Sequence, residues 1–239
     1  MNYKNLTLAT IIAILVFALF PNLDLAVSRL FYKQGEGFIY SHALFSRAIY
    51  DSVRYITIII VLSGLLVLLY DLLKKPCPNF SQKFLQPIIK KIPFTKRQIY
   101  FLFLILIITP GIVVHWIIKP EWERARPRQI LEFGGDKQFT SFYHLNTGQD
   151  GKSFASGHSA TAFSLIALAY MFSVRSRRKV FIVTLSYAII VGFCRIWQGG
   201  HFLSDVTFSG ILTLWTIYLM RIFYLERNSE IKNDADKTL

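Results

Sequence analysis

Cysteine is scarce in this chain, with only Cys77 and Cys194 among 239 residues. Two thiols cannot build a metal cluster. The topology argued below puts them on opposite sides of a membrane, so no disulfide is expected either. Charge is also scarce, at 17% of residues, and acid most of all: 14 Asp and Glu stand against 27 Lys and Arg, for a formal net charge of +13. No internal repeat and no separate soluble domain is found, so residues 1–239 are read as one integral membrane domain. No small-x-small cleavage site follows Phe20, and the apolar run behind Lys4 is therefore expected to be a retained helix rather than a cleaved signal peptide.

Apolar residues are abundant, with 53% in the hydrophobic set and 15% aromatic, and they come in long blocks without alternation. Blocks of this kind predict membrane-spanning helices. Six are expected, over Tyr3 to Phe20, Val53 to Tyr70, Ile99 to Ile118, His158 to Phe172, Val180 to Phe193 and Phe202 to Tyr224. The fold class is thus all-α, a polytopic bundle of six transmembrane helices. The fourth and fifth blocks are short and need their polar end residues to reach the membrane rim.

Basic residues crowd two connections. Asp71 to Gln98 holds seven, and Ser173 to Lys179 reads as a tight turn holding four. Both are expected on the cytoplasmic side of the membrane, which puts both termini inside and leaves 21–52, 119–157 and 194–201 on the outer side. Residues 71–98 read as an interfacial amphipathic stretch broken by Pro87, and 226–239 as a polar C-terminal tail. The 119–157 connection carries six basic residues, which is unusual for a translocated segment unless some of those charges have a task.

That task is legible in the residues at the outer rim. Asp205 follows His201 by four residues at the start of the last apolar helix, a spacing that lets a carboxylate orient one ring nitrogen and free the other as nucleophile or base. Beside this stands the plainer reading of a carboxylate at a helix N-terminus near an interfacial histidine. Ser156-Gly157-His158 opens the fourth block: Ser156 can cap the helix, Gly157 lets backbone approach an anion, and His158 can serve as general acid. A helix cap with a rim histidine fits the same tripeptide. Lys119, Arg126 and Arg195 sit where spans meet the outer surface and could clamp the oxygens of a phosphoryl group, or serve only as snorkelling anchors. Trp116, Trp122 and Trp197 read as interfacial belt residues, with Trp122 or Trp197 open to lining a lipid entrance.

Taken together, these segments resemble the three-part signature of the type 2 phosphatidic acid phosphatase superfamily. Lys119, six residues, then Arg126-Pro127 match the first part, Ser156-Gly157-His158 the second, and Arg195, five residues, His201, three residues and Asp205 the third. Two positions depart from the common pattern: Ala155 stands where proline is usual and Cys194 where serine is frequent. The resemblance implies that His201 attacks phosphorus, Asp205 orients it, and His158 protonates the leaving oxygen and then activates water. Lys119, Arg126 and Arg195 bind phosphate in that scheme, with Ser156 and Gly157 contributing donors. It implies no cofactor and no metal, and an anionic phosphorylated lipid in the bilayer as substrate, with neither nucleic acid nor an obligate protein partner.

Phe20-Pro-Asn-Leu-Asp and Phe133-Gly-Gly-Asp-Lys-Gln-Phe resemble stretches of the lipid A phosphatases, of the 4'-phosphate type more than the 1-phosphate type. Undecaprenyl pyrophosphate and phosphatidylglycerophosphate phosphatases share the same catalytic residues. A lipid phosphotransferase and a non-enzymatic anion-binding or transport protein remain the alternatives.

Overall fold

The computed structural model describes residues 2–226; most of the expected polar tail lies outside them. Helix α1 (Tyr3–Leu19) is capped by Asn2, whose side chain accepts from the Lys4 amide at 3.0 Å. It ends at Phe20, because a residue before proline avoids helical backbone. The chain then turns by 82° into α2 (Leu23–Arg29). A two-residue antiparallel pair follows, β1 (Tyr32–Lys33) with β2 (Gly37–Phe38), and leads into the long α3 (Leu44–Leu73).

The inner connection is helical: α4 (Pro78–Phe80), a π-helical turn over Ser81–Leu85 and α5 (Gln86–Lys90) follow without a break. Pro87 therefore does not interrupt this stretch as the sequence led us to expect. The wider π turn before it removes the i−4 geometry with which a proline ring clashes. Pro110 is accommodated the same way, inside the π-helical Ile107–Ile118 that continues α6 (Lys96–Leu106) into α7 (Lys119–Trp122).

At the centre lies α8 (Gly157–Ser164), extended by a 3₁₀ segment over Leu165–Met171 and packed on α9 (Val174–Trp197), α10 (Leu203–Met220) and the Ile107–Ile118 stretch. A π-helical Arg221–Glu226 ends the described chain. The small residues of α8, among them Ser159, Ala160 and Ala162, are buried and let its neighbours approach closely. Large apolar side chains such as Ile59, Leu62, Ile182 and Val183 point outward, the inverse of a water-soluble bundle.

Four helical stretches are long and apolar enough to cross a membrane, or five if the bent pair α1–α2 counts as one. The expectation of six spans is thus met only in part, because the α8 stretch is shorter than the others. The basic turn at Ser173 also differs from expectation. The break before Val174 is short, so Arg175, Arg177, Arg178 and Lys179 lie in the opening turns of α9. The connections 21–52, 119–157 and 194–201 meet at one end of the bundle, joined by the Arg128 amide to the Gly199 carbonyl (3.1 Å) and by Arg124 to Asp24 (2.8 Å). At the opposite end, Asp71 receives Lys96 at 2.8 Å and Tyr100 at 3.0 Å.

Candidate active site

The Lys119 side chain is buried, and its ammonium donates to the Lys152 carbonyl at 2.9 Å. Helix α7 stops just beyond it at Glu123, in left-handed backbone. The chain then pairs with 151–153 through Gly151 N–H to Glu123 O (3.0 Å) and Ser153 N–H to Arg124 O (2.9 Å). Gly151 is required there, because a Cβ would fall 2.1 Å from the Arg124 carbonyl oxygen. This pairing brings Ser153 to the mouth of α10.

Ser156 caps α8 as expected, accepting from the Ser159 amide at 3.3 Å. Gly157 faces His115, whose Nε2 lies 2.7 Å from where a Cβ would stand. His158 stacks on Tyr50 from α3, with centroids 4.1 Å apart, and the Arg195 guanidinium lies 5.1 Å from the same ring. Arg195 ends α9, and the loop after it folds back so that the amides of Gly200 and His201 both donate to its carbonyl, at 3.0 and 3.2 Å. Arg195 has one side-chain partner, Gln198 Oε1 at 2.5 Å, and its buried Nε has none among the described residues.

His201 stands at the outer end of the bundle, and it is buried there, whereas the sequence led us to expect a rim position outside the packed interior. Its Nδ1 lies 2.8 Å from the Ser153 carbonyl and 3.5 Å from Asp205 Oδ2. A carbonyl can only accept, so Nδ1 carries the proton and Nε2 keeps its lone pair. The orienting hydrogen bond thus goes to Ser153, and Asp205 acts on the ring through its charge. Burial pushes the His201 imidazole down to about 3, with Arg195 and Lys119 pushing the same way and Asp205 opposing.

Asp205 is saturated by other donors. Its Oδ2 accepts from the Phe202 amide (2.8 Å) and the Ser153 hydroxyl (2.5 Å), and its Oδ1 from Arg124 (2.6 Å). Arg124 is wholly buried and also donates to Thr140 O, Ser204 Oγ and Asp24 Oδ2, each at 2.8 Å. Its guanidinium lies 4.3 Å from the Phe202 ring. Asp24 in turn accepts from the Ser204 amide (2.8 Å) and hydroxyl (2.5 Å).

Lys119, Arg126 and Arg195 all fall within electrostatic range of His158. Arg126 and Arg195 line a cavity of about 510 Å³ at the outer end with Tyr50, Arg128, Gln198 and the β1–β2 turn, while Lys119 and the two histidines lie outside its lining. The structure thus sets Lys119, Arg126 and Arg195 in electrostatic range of His158 and places Asp205 beside His201. It adds Ser153, Tyr50, Arg124 and Asp24, of which Arg124 carried a sequence signal as one of the surplus cations of 119–157, and Asp24 as the last residue of Phe20-Pro-Asn-Leu-Asp. Trp122 is not a belt residue: it donates to the Phe142 carbonyl at 2.5 Å and stacks on Phe154, whereas Trp116 is exposed to the bilayer side. Among the described residues no group of three or more His, Cys, Asp or Glu gathers as metal ligands.

The family and the relatives that the chain matches make it a membrane lipid phosphatase, a hydrolase of lipid phosphate esters. The chain belongs to the PAP2 superfamily, whose pattern matches residues 99–229. It is similar to a lipid A 4'-phosphatase of Francisella tularensis subsp. novicida (strain U112), at 32% identity over 210 residues, 85% of this chain and 88% of that protein. A lipid A 4'-phosphatase of Rhizobium etli is 34% identical over 112 residues, 46% of this chain and 43% of that protein. In fold, the chain is similar to a transmembrane PAP2-type phosphatidylglycerolphosphate phosphatase from Bacillus subtilis (TM-score 0.51, 18% identity, covering 91% of this chain and 94% of that one).

Proposed function

We propose that the protein removes a phosphate from lipid A through a phosphohistidine at His201, at the periplasmic face of the bacterial inner membrane. The observation that carries this reading is a buried imidazole with its proton fixed on Nδ1, within electrostatic range of Arg195 and Lys119, neither of which has a carboxylate partner among the described residues. The similarity to lipid A 4'-phosphatases along most of the chain supports lipid A, and its 4'-phosphate before its 1-phosphate.

In this scheme the phosphate dianion is held by Lys119, Arg126 and Arg195, with the N-terminus of α8 at Ser156 and Gly157 supplying backbone donors. The His201 Nε2 lone pair forms a bond to phosphorus while the bond from phosphorus to the lipid oxygen breaks. That oxygen takes the electron pair and a proton from His158. A dianion among the cations favours the protonated form of His158 before transfer. Water then attacks phosphorus, His158 accepts a proton from it, and the nitrogen–phosphorus bond returns its pair to His201. Asp205 and the Ser153 carbonyl offset the positive charge that the ring carries while phosphorylated.

Six crossings with both termini in the cytoplasm remain our reading of the topology. Fifteen residues of α8 and its 3₁₀ extension reach roughly 26 Å, because a 3₁₀ turn rises about 2.0 Å per residue against about 1.5 Å for an α-helix. The basic opening of α9 and the basic inner connection support the orientation.

The test is phosphate release by detergent-solubilised wild-type and His201→Gln protein, without added metal. The panel is lipid A, undecaprenyl pyrophosphate, phosphatidylglycerophosphate and phosphatidic acid. Preference for lipid A that vanishes in the variant is the expected result. Preference for another lipid overturns the substrate, and full activity of the variant overturns the nucleophile.

A further inference from the structure

The PAP2 pattern begins at residue 99, yet the charge network behind His201 is completed by Asp24, from α2. The fit is close. Asp24 and Arg124 are both buried, and the Asp24 carboxylate takes one Arg124 nitrogen and both the amide and the hydroxyl of Ser204, the residue next to Asp205. Arg124 reaches Asp205 with its other terminal nitrogen. One guanidinium is thus shared between two carboxylates, one of which lies 3.5 Å from the His201 ring.

A shared guanidinium differs electrostatically from a dedicated one. If Arg124 paired with Asp205 alone, the pair would be neutral and Asp205 would lend little negative potential to the ring as it gains charge on phosphorylation. Burial raises the Asp24 carboxyl and Arg124 opposes that shift; in its ionised form Asp24 neutralises Arg124 from the far side, and the trio keeps one net negative charge beside His201. Asp24 also fixes the start of α10 through Ser204, 180 positions later in the chain, so the position of Asp205 depends on it.

We propose that Asp24 is a positioning residue for phosphoryl transfer: through Arg124 and Ser204 it sets the place and the effective charge of Asp205. The N-terminal segment is then a working part of the site. This rests on the reading of His201 as nucleophile. The cations that hold phosphate do not touch Asp24, so the consequence falls on turnover and not on substrate binding.

Full-length wild type, Asp24→Asn and Ser204→Ala are compared by steady-state kinetics on the lipid that the wild type hydrolyses, with thermal unfolding in detergent as the control for folding. For Asp24→Asn, kcat is expected to fall at least tenfold with KM within about twofold. Ser204→Ala, a smaller change, should fall in the same direction by a few-fold. Asp24→Glu, which restores the charge, should recover part of the lost kcat. Unchanged kcat in the Asn variant overturns the proposal. So does a loss that Glu does not relieve in protein that unfolds at the wild-type temperature, or a rise in KM that accounts for the whole effect. If Asp24→Asn does not fold, Ser204→Ala decides: an unchanged kcat there overturns the proposal. Absence of wild-type activity on every lipid tested would instead refute the proposed function.

Discussion

Four cations stand at the outer end of this molecule, and the structure treats them in two ways. Arg124 is wholly buried, with ion pairs to Asp24 and Asp205 and two further hydrogen bonds. Lys119, Arg126 and Arg195 have no carboxylate in ion-pair contact among the described residues, and the two side-chain contacts they make are to a carbonyl and an amide oxygen. Burying cations costs free energy that neutral acceptors only partly return. Under the proposed function the group without carboxylate partners is the anion site, and the paired cation is scaffold. Lys119, Arg124 and Arg126 lie within one stretch rich in basic residues, so the distinction comes from the acids placed around them.

The comparison is broken most directly by exchanging which cation is lost. Arg195→Met is expected to lower kcat/KM by roughly 10²–10³-fold, the usual cost of one charge-stabilising donor, while leaving the unfolding temperature equal to the wild type or higher. Arg124→Met removes the partner of two buried carboxylates and should cost about 3–5 kcal/mol of stability, read as a large drop in unfolding temperature in detergent. If Arg124→Met proved stable and Arg195→Met unstable, the division between scaffold and site would be reversed.

A second, smaller effect separates the groups by pH. The folded protein holds His201 near 3, below the ordinary value of 6.5, so between those limits the unfolded chain takes up a proton that the folded chain refuses. The sign is therefore a loss of stability on acidification: the contribution is complete above about pH 6.5 and declines toward pH 3. Wild type should lose more unfolding temperature between pH 7 and pH 5 than His201→Gln, which has no imidazole to protonate there. Equal losses would mean that this ring takes up a proton as readily folded as unfolded.

The sequence carried the helices well, because blocks of apolar residues state their own length, and it carried the motif residues, because their types and spacings are those of phosphoryl transfer. The tertiary partners were out of its reach. The Ser153 carbonyl orients His201, and a backbone acceptor leaves no mark on residue identity. Asp24 lies 100 residues from Arg124, and although Phe20-Pro-Asn-Leu-Asp carries a family likeness, nothing in it tells that its acid pairs with that cation. The same gap explains Pro87 and Pro110: proline signals a break, and only the neighbouring π-helical turns show that the chain absorbs it.

The smallest expected effect belongs to the cap of α8, where scaffold and site coincide in one side chain. The Ser156 hydroxyl accepts from the Ser159 amide, and its own amide donates to the Asp205 carbonyl at 3.3 Å. Ser156→Ala keeps that backbone link and loses the cap, worth about 1 kcal/mol, together with the acceptor of the Ser159 hydroxyl at 2.9 Å. The first-turn amides of α8 remain in place, so if phosphate is held there by backbone donors, kcat/KM should fall only a few-fold along with a modest drop in unfolding temperature. A loss of a hundredfold or more, with stability unchanged, would instead make the hydroxyl itself a phosphate ligand. Ser156 would then join Arg195 on the open side of the comparison.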